Sequence, residues 1–114
     1  MAPQQDQREK RRSERVLIRV PIEVQGVGVD GSRYEGTGYT AVVNRHGALV
    51  LLTTRLKPDS QVTLTNMFTK ETETFQVVWS GEKPTEGRHE CGIEALSPRD
   101  DFWGIRFPPA VRKA

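Results

Sequence analysis

The sequence predicts an all-β protein: a small six-stranded antiparallel β-barrel with a disordered basic N-terminal arm and a short C-terminal helical turn. Short segments alternate apolar and polar residues, which is the period of half-buried strands. Glycine, proline, asparagine and aspartate separate these segments, as turns require. A chain of 114 residues is the size of one domain, and closing a small sheet into a barrel removes its exposed edges.

Six segments carry the strand pattern, and the second of them combines it with glycines. In that segment Tyr39, Ala41 and Val43 are predicted to share one face, and Gly36 and Gly38 favour a bulge. The fifth segment places Trp79 on the same predicted face as its buried apolar neighbours, which predicts a core position for this side chain. The predicted strands span residues 20–25, 33–43, 48–52, 62–65, 75–80 and 91–94.

The tail after the last strand has the signals of a short helical turn. Residues 97–100 read Ser-Pro-Arg-Asp, which places a capping residue, a proline at the first helical position and an acid in the first turn. We expect this turn to continue through Phe102 and Trp103 and to end at Gly104. The aromatic Trp103 is then predicted to seal one end of the barrel.

The positive excess of the chain lies in its N-terminal region. The first 19 residues contain six Lys or Arg and three Asp or Glu, whereas the whole chain has a net charge of only +2. Residues 1–14 are polar and lack apolar periodicity, so they are predicted to be a flexible arm before a single domain of residues 15–114. Guanidinium groups suit bidentate contacts with phosphates and guanine edges, so the arm is predicted to hold an anion.

Several other classes of function are disfavoured by composition. Two histidines and one cysteine give no metal-ligand cluster, and no paired base and nucleophile points to an enzyme. No apolar run approaches the ~20 residues that span a bilayer, so no membrane insertion is expected. The single cysteine, Cys91, is predicted to be a small core residue; a chain without an internal disulfide suits the cytoplasm.

A turn over residues 44–47 is the second candidate functional segment. It reads Asn-Arg-His-Gly, and Gly47 is able to adopt a positive φ there. Turn chemistry alone explains asparagine and glycine, so a plain hairpin turn and a binding turn both remain open.

Together, the arginines and this turn resemble the PilZ domain family, whose members are small six-stranded β-barrels. The first motif of that family is Arg-x-x-x-Arg before a strand that often begins with Val-Pro. Two registers fit it, Arg11 with Arg15 and Arg15 with Arg19, the latter directly before Val20 and Pro21. The segment 91–94, Cys-Gly-Ile-Glu, resembles the closing strand of the family.

The second motif of the family, Asp/Asn-x-Ser-x-x-Gly, is matched only in part. Gly47 matches the final glycine of the motif. Asn44 stands at its serine position, and Val42 stands at its Asp/Asn position. Asn44 keeps a donor and an acceptor, whereas Val42 has no acceptor for a guanine donor. An unpaired donor in a desolvated contact costs about 1–3 kcal/mol, which is roughly a factor of 5 to 150 in affinity.

Many PilZ domains bind cyclic di-GMP, so the resemblance implies a receptor for this ligand. The implied ligand-binding residues are the arginines and the turn, and the implied output is altered contact with an unidentified effector protein. The alternative is a PilZ-like protein-interaction module that has lost nucleotide binding, which Val42 favours. A single-stranded nucleic-acid binder ranks last because the chain beyond the arm is slightly acidic, and no DNA or RNA partner is expected. The residues implied at the ligand are Arg11, Arg15, Arg19, Asn44 and Gly47.

Overall fold

The computed structural model describes residues 15–97 and 101–104. Six strands account for most of them, and no α-helix occurs within these residues. The strands are β1 (Pro21–Val27), β2 (Arg33–Asn44), β3 (Gly47–Leu52), β4 (Gln61–Asn66), β5 (Thr72–Ser80) and β6 (His89–Ala95).

These strands form one closed antiparallel barrel in the order β1-β2-β3-β6-β5-β4. The first three strands are joined in sequence as a meander. β3 then pairs with the last strand rather than with the next one, and β4 returns to pair with β1, which closes the sheet. The predicted all-β, six-stranded antiparallel barrel is therefore confirmed.

The core fills the barrel with the apolar side chains that alternate inward. Ile22, Val50, Leu52 and Val77 are fully buried, and most strands contribute such residues from one face. Cys91 is buried among them, as predicted. Desolvation raises the pKa of its thiol to about 11, so the sulfur is neutral at physiological pH and unsuited to nucleophilic chemistry.

One end of the barrel is sealed by aromatic side chains from residues 101–104. Phe102 and Trp103 are buried, and both rings contact Phe75, with centroids 5.5 and 6.0 Å from its ring. The buried Asn66 ties this segment down by donating from Nδ2 to the Phe102 carbonyl at 2.8 Å. The predicted sealing role of Trp103 is confirmed.

The predicted C-terminal helical turn is not confirmed. Asp101 and Gly104 close a turn through a backbone hydrogen bond of 3.1 Å, and Gly104 has a φ of 77°. Residues 98–100, where the helical turn was predicted to begin, lie outside the described residues, as does the predicted arm of residues 1–14.

A bulge in β2 changes the faces predicted for that strand. The register with β3 shifts between Thr40 and Val42, not at the glycines earlier in the strand. As a result Thr40 and Val43 point into the core, whereas Tyr39 and Ala41 are half-buried. The prediction that Tyr39, Ala41 and Val43 share a face was wrong because the extra residue breaks the two-residue period.

Residues 16–20, which precede β1, lie alongside the C-terminal end of β2. Val16 and Val43 exchange two backbone hydrogen bonds of 2.9 Å. The buried Thr40 hydroxyl lies at the bulge, where it accepts from the Val20 amide at 2.8 Å and donates to the Ile18 carbonyl at 2.5 Å. These bonds fix residues 16–20 and therefore the position of Arg15 relative to the end of β2.

Candidate functional site

An open cleft of about 390 Å³ lies on the outer face of the barrel, across β2, β3, β6 and β5. Its polar lining comes from four side chains on three parts of the chain: Arg15, Asn44 and His46 of one turn, and Glu94. Its apolar lining includes Val42, Leu49, Val78 and Trp79. A cleft with charged groups of both signs and an exposed indole is suited to a ligand that carries both phosphate and aromatic groups.

Strand register arranges these side chains in two rows. In the first row Val42 pairs with Leu49, Leu49 with Gly92, and Gly92 with Trp79. Two residues further along β3, Gly47 pairs with Asn44 on one side and with Glu94 on the other. Each row therefore has a glycine between larger side chains, and these glycines form the floor of the cleft.

Gly47 is required by a close approach of two strands. A Cβ on residue 47 would collide with the Ile93 carbonyl oxygen and would lie 3.1 Å from the Glu94 Cα. Gly47 is not among the described glycines with positive φ, so the conformational reason predicted for it was wrong.

Asn44 shapes the turn that ends at Gly47. Its Oδ1 accepts from the backbone amides of His46 and Gly47, each at 2.8 Å. This Asx-type turn uses the carbonyl half of the side chain for structure. Its Nδ2 group makes no hydrogen bond within the described residues, so the amide remains a donor at the cleft.

Arg15 reaches the cleft because residue 16 pairs with the end of β2. The Val16–Val43 pairing places residue 15 beside Asn44, and Arg15 is exposed and lines the cleft. Within the described residues Arg15 has no ion pair, since the one salt bridge there joins Arg33 and Glu35 at 3.5 Å. Arg15 is therefore available to an anion.

Arg19 occupies a neighbouring position on the surface. Its guanidinium lies 4.1 Å from the centroid of the Tyr39 ring, and that of Arg88 lies 5.0 Å from the same centroid. Tyr39 pairs with Leu51, two residues and about 7 Å along β3 from Leu49 of the cleft. Arg19 thus flanks the cleft without lining it, and Arg11 lies outside the described residues.

Trp79 is the cleft residue that sequence reasoning missed. The register of β5 with β6 shifts between Val77 and Trp79, which turns the indole outward. Its side chain is 45% exposed, and the predicted core position was therefore wrong. The available signal was the run Val77-Val78-Trp79, in which three large apolar residues interrupt the alternation and favour a bulge.

Of the five residues predicted at the ligand, the structure brings three together: Arg15, Asn44 and Gly47. Val42, the residue that departs from the second motif, also lines the cleft. Among the described residues no group of three potential metal ligands occurs. No helix of the described chain is long and apolar enough to cross a membrane.

Comparison with known structures identifies the class of fold. The barrel is similar to the crystal structure of the PilZ domain of CeSA from a cellulose-synthesizing bacterium, with a TM-score of 0.50 and 22% sequence identity. The similarity covers 75% of this chain and 83% of that domain. No family model matches the chain, and no curated protein does. The chain therefore has a PilZ-like fold.

Proposed function

We propose that this protein binds cyclic di-GMP in the cleft and acts as a signalling receptor or adaptor. The observation that carries the proposal is the pairing of Val16 with Val43, because it puts Arg15 beside Asn44 on the open cleft. PilZ domains that bind this ligand use an arginine motif and a polar turn, and these are the two segments that the pairing joins.

Three side chains of the cleft have chemistry that suits this ligand. Arg15 donates bidentate hydrogen bonds to a phosphate or to O6 and N7 of a guanine. The Nδ2 group of Asn44 donates to a phosphate oxygen. Trp79 offers its open face to a base, and stacking of this kind is worth about 1–3 kcal/mol per base.

We further propose that binding orders the arm of residues 1–14 over the domain of residues 15–114. Arg11 then contacts the ligand from the arm, and Arg19 meets it from the neighbouring position at Tyr39. The closed state is selected because the ligand binds it better than the open state. The changed surface alters contact with an effector protein, which gives the domain a signalling output without enzymatic activity of its own.

Calorimetric titration with cyclic di-GMP tests the proposal. The wild-type chain is expected to bind, and Arg15→Ala is expected to bind at least tenfold more weakly because a charged, bidentate contact is removed. Arg33→Ala is the matched control, since Arg33 is exposed, lies outside the cleft and pairs with Glu35. No heat with the wild-type chain at high micromolar ligand would contradict the proposal, as would equal losses in the two variants.

A protein-interaction module without nucleotide binding is the second candidate. Val78 and Trp79 are 51% and 45% exposed and line the same cleft as Val42, so a partner peptide has apolar surface to contact. The same titration separates the two candidates. A wild-type chain that fails to bind cyclic di-GMP favours the interaction module.

A further inference from the structure

The cleft contains a carboxylate on β6, two strands away from the position at which the second motif has lost its acceptor. Val42 lines the cleft without any polar atom, but Glu94 also lines it and is exposed. Glu94 lies two strands away from Asn44, with Gly47 between them in the same row. Neighbouring strands are about 4.8 Å apart, so the backbones at Asn44 and Glu94 are separated by roughly 10 Å, with Gly47 between them.

Glu94 has no competing partner in the described part of the chain. Its strand neighbours are Gly47 on β3 and Gln76 on β5, neither of which is charged. The one salt bridge among the described residues lies elsewhere, between Arg33 and Glu35. Both oxygens of Glu94 are therefore available as acceptors at the cleft.

We propose that Glu94 reads the guanine base of the ligand and replaces the acceptor that Val42 lacks. Its two carboxylate oxygens accept hydrogen bonds from the N1–H and N2–H₂ donors on the Watson–Crick edge of guanine. The inference rests on the proposed binding of cyclic di-GMP and assigns the residue that makes the site specific for guanine.

The position of Trp79 supports this assignment. The indole lies against Gly92, so that a Cβ on residue 92 would be 2.7 Å from the indole Nε1. Gly92 and Glu94 are two residues apart on β6 and face the same side, about 7 Å from each other. A base that stacks on the indole therefore lies within reach of the Glu94 side chain.

The same geometry disfavours adenine. The corresponding edge of adenine has an acceptor at N1 where guanine has a donor, so a carboxylate oxygen would face a lone pair. A site built around a specific hydrogen bond rejects an analogue that lacks it because its polar group is left unpaired. Glu94 is thus a specificity-determining residue as well as a contact.

Because Glu94 is negatively charged, the direction in which Glu94→Gln changes the affinity for cyclic di-GMP shows how the residue acts. Cyclic di-GMP carries two phosphates, so removing a nearby carboxylate strengthens binding if the carboxylate acts only through its charge. Weakened binding in Glu94→Gln therefore reports the loss of a direct contact. Glu90→Gln is the matched control, because Glu90 lies on β6 at the level of Leu51, outside the cleft, and the substitution changes the net charge equally.

The experiment is a titration of wild type, Glu94→Gln and Glu90→Gln with cyclic di-GMP and with cyclic di-AMP. We expect Glu94→Gln to bind cyclic di-GMP roughly 5- to 150-fold more weakly, with cyclic di-AMP binding unchanged or stronger. Glu90→Gln should bind cyclic di-GMP as well as wild type or better. Thermal midpoints within about 2 °C of wild type establish that both variants fold, as expected for surface substitutions.

Three other outcomes are distinguishable. If wild type binds cyclic di-GMP and Glu94→Gln binds it equally or more tightly, the assignment of Glu94 is wrong and the proposed receptor function stands. If wild type discriminates poorly between the two dinucleotides, Glu94 does not read the base. If wild type binds neither of them, the receptor function itself is wrong and the assignment of Glu94 is overturned with it.

Discussion

The indole of Trp79 lies directly over the backbone of Gly92. A Cβ built on Gly92 would lie 2.7 Å from the indole Nε1, closer than side-chain contacts allow, and 3.0 Å from Cδ1, which is a tight contact. The lack of a side chain at Gly92 therefore lets the indole pack against β6, while Trp79 remains 45% exposed. This contact produces the aromatic wall of the cleft and explains why a strand of the barrel carries glycine there.

Gly92→Ala should displace the indole. Because the methyl group overlaps the ring, we expect Trp79 to shift, its fluorescence to change, and the free energy of unfolding to fall by about 1–3 kcal/mol. Tryptophan emission and urea denaturation measure the two effects. Gly81→Ala is the control, since its Cβ would lie 3.4 Å from the Glu90 carbonyl oxygen and 3.6 Å from the same indole, which is ordinary contact. Equal effects of the two substitutions would contradict this account of Gly92.

Thr40→Val should destabilise the segment that carries Arg15. The substitution keeps the shape of the buried side chain but removes the hydroxyl that joins the Val20 amide to the Ile18 carbonyl. Leaving these groups unpaired is expected to cost about 1–3 kcal/mol in the free energy of unfolding, measured by urea denaturation. Thr37→Val, on an exposed position of β2, should change it by less than about 0.5 kcal/mol. A Thr40→Val variant as stable as Thr37→Val would show that the hydroxyl is dispensable.

Val42→Asp should strengthen binding of cyclic di-GMP. The new carboxylate supplies an acceptor at the position where PilZ domains carry Asp or Asn, and the gain should be largest when Glu94→Gln is also present. We expect a roughly 5- to 150-fold gain in that background by calorimetry. Ala41→Asp is the control, because Ala41 is the neighbouring bulge residue and does not line the cleft. No gain in either background would mean that residue 42 does not face the base.

Cys91 should make stability fall in alkaline solution. Burial raises the pKa of the folded thiol from 9.0 to about 11, so between these values the unfolded chain binds fewer protons than the folded one. The stabilisation is complete below pH 9 and is lost as the pH rises toward 11, by up to about 1.4 kcal/mol per pH unit. The difference in unfolding free energy between wild type and Cys91→Ala, measured by urea denaturation from pH 8 to 10.5, isolates this effect. A difference that does not change with pH would contradict it.

The strands of the barrel were predictable because their evidence is local. Alternation at Val20, Ile22 and Val24 placed all three in the core, and turn residues separated the strands. The aromatic seal at Trp103 was predictable for a similar reason, since large apolar residues at the end of a small barrel have few other places to be buried.

The cleft was less predictable because bulges and long-range pairing create it. Two-residue periodicity cannot foresee the register shift before Trp79, so the indole was assigned to the wrong face. The row that joins Asn44, Gly47 and Glu94 depends on β3 pairing with β6, strands about 40 residues apart in the chain. The Arg-x-x-x-Arg motif pointed to Arg15 as a ligand-binding residue, but its place beside Asn44 depends on the pairing of Val16 with Val43.

The central claim is that cyclic di-GMP binds in the cleft between Arg15 and Trp79. Titrating the ¹⁵N-labelled chain with cyclic di-GMP and following amide and indole N–H signals by NMR tests it most directly. We expect shifts concentrated at Arg15, residues 44–47, Gly92, Glu94 and the indole Nε1–H of Trp79, with the indole signal of the buried Trp103 little changed. Shifts concentrated at the β1–β2 hairpin around residues 28–33, or none at saturating ligand, would contradict it.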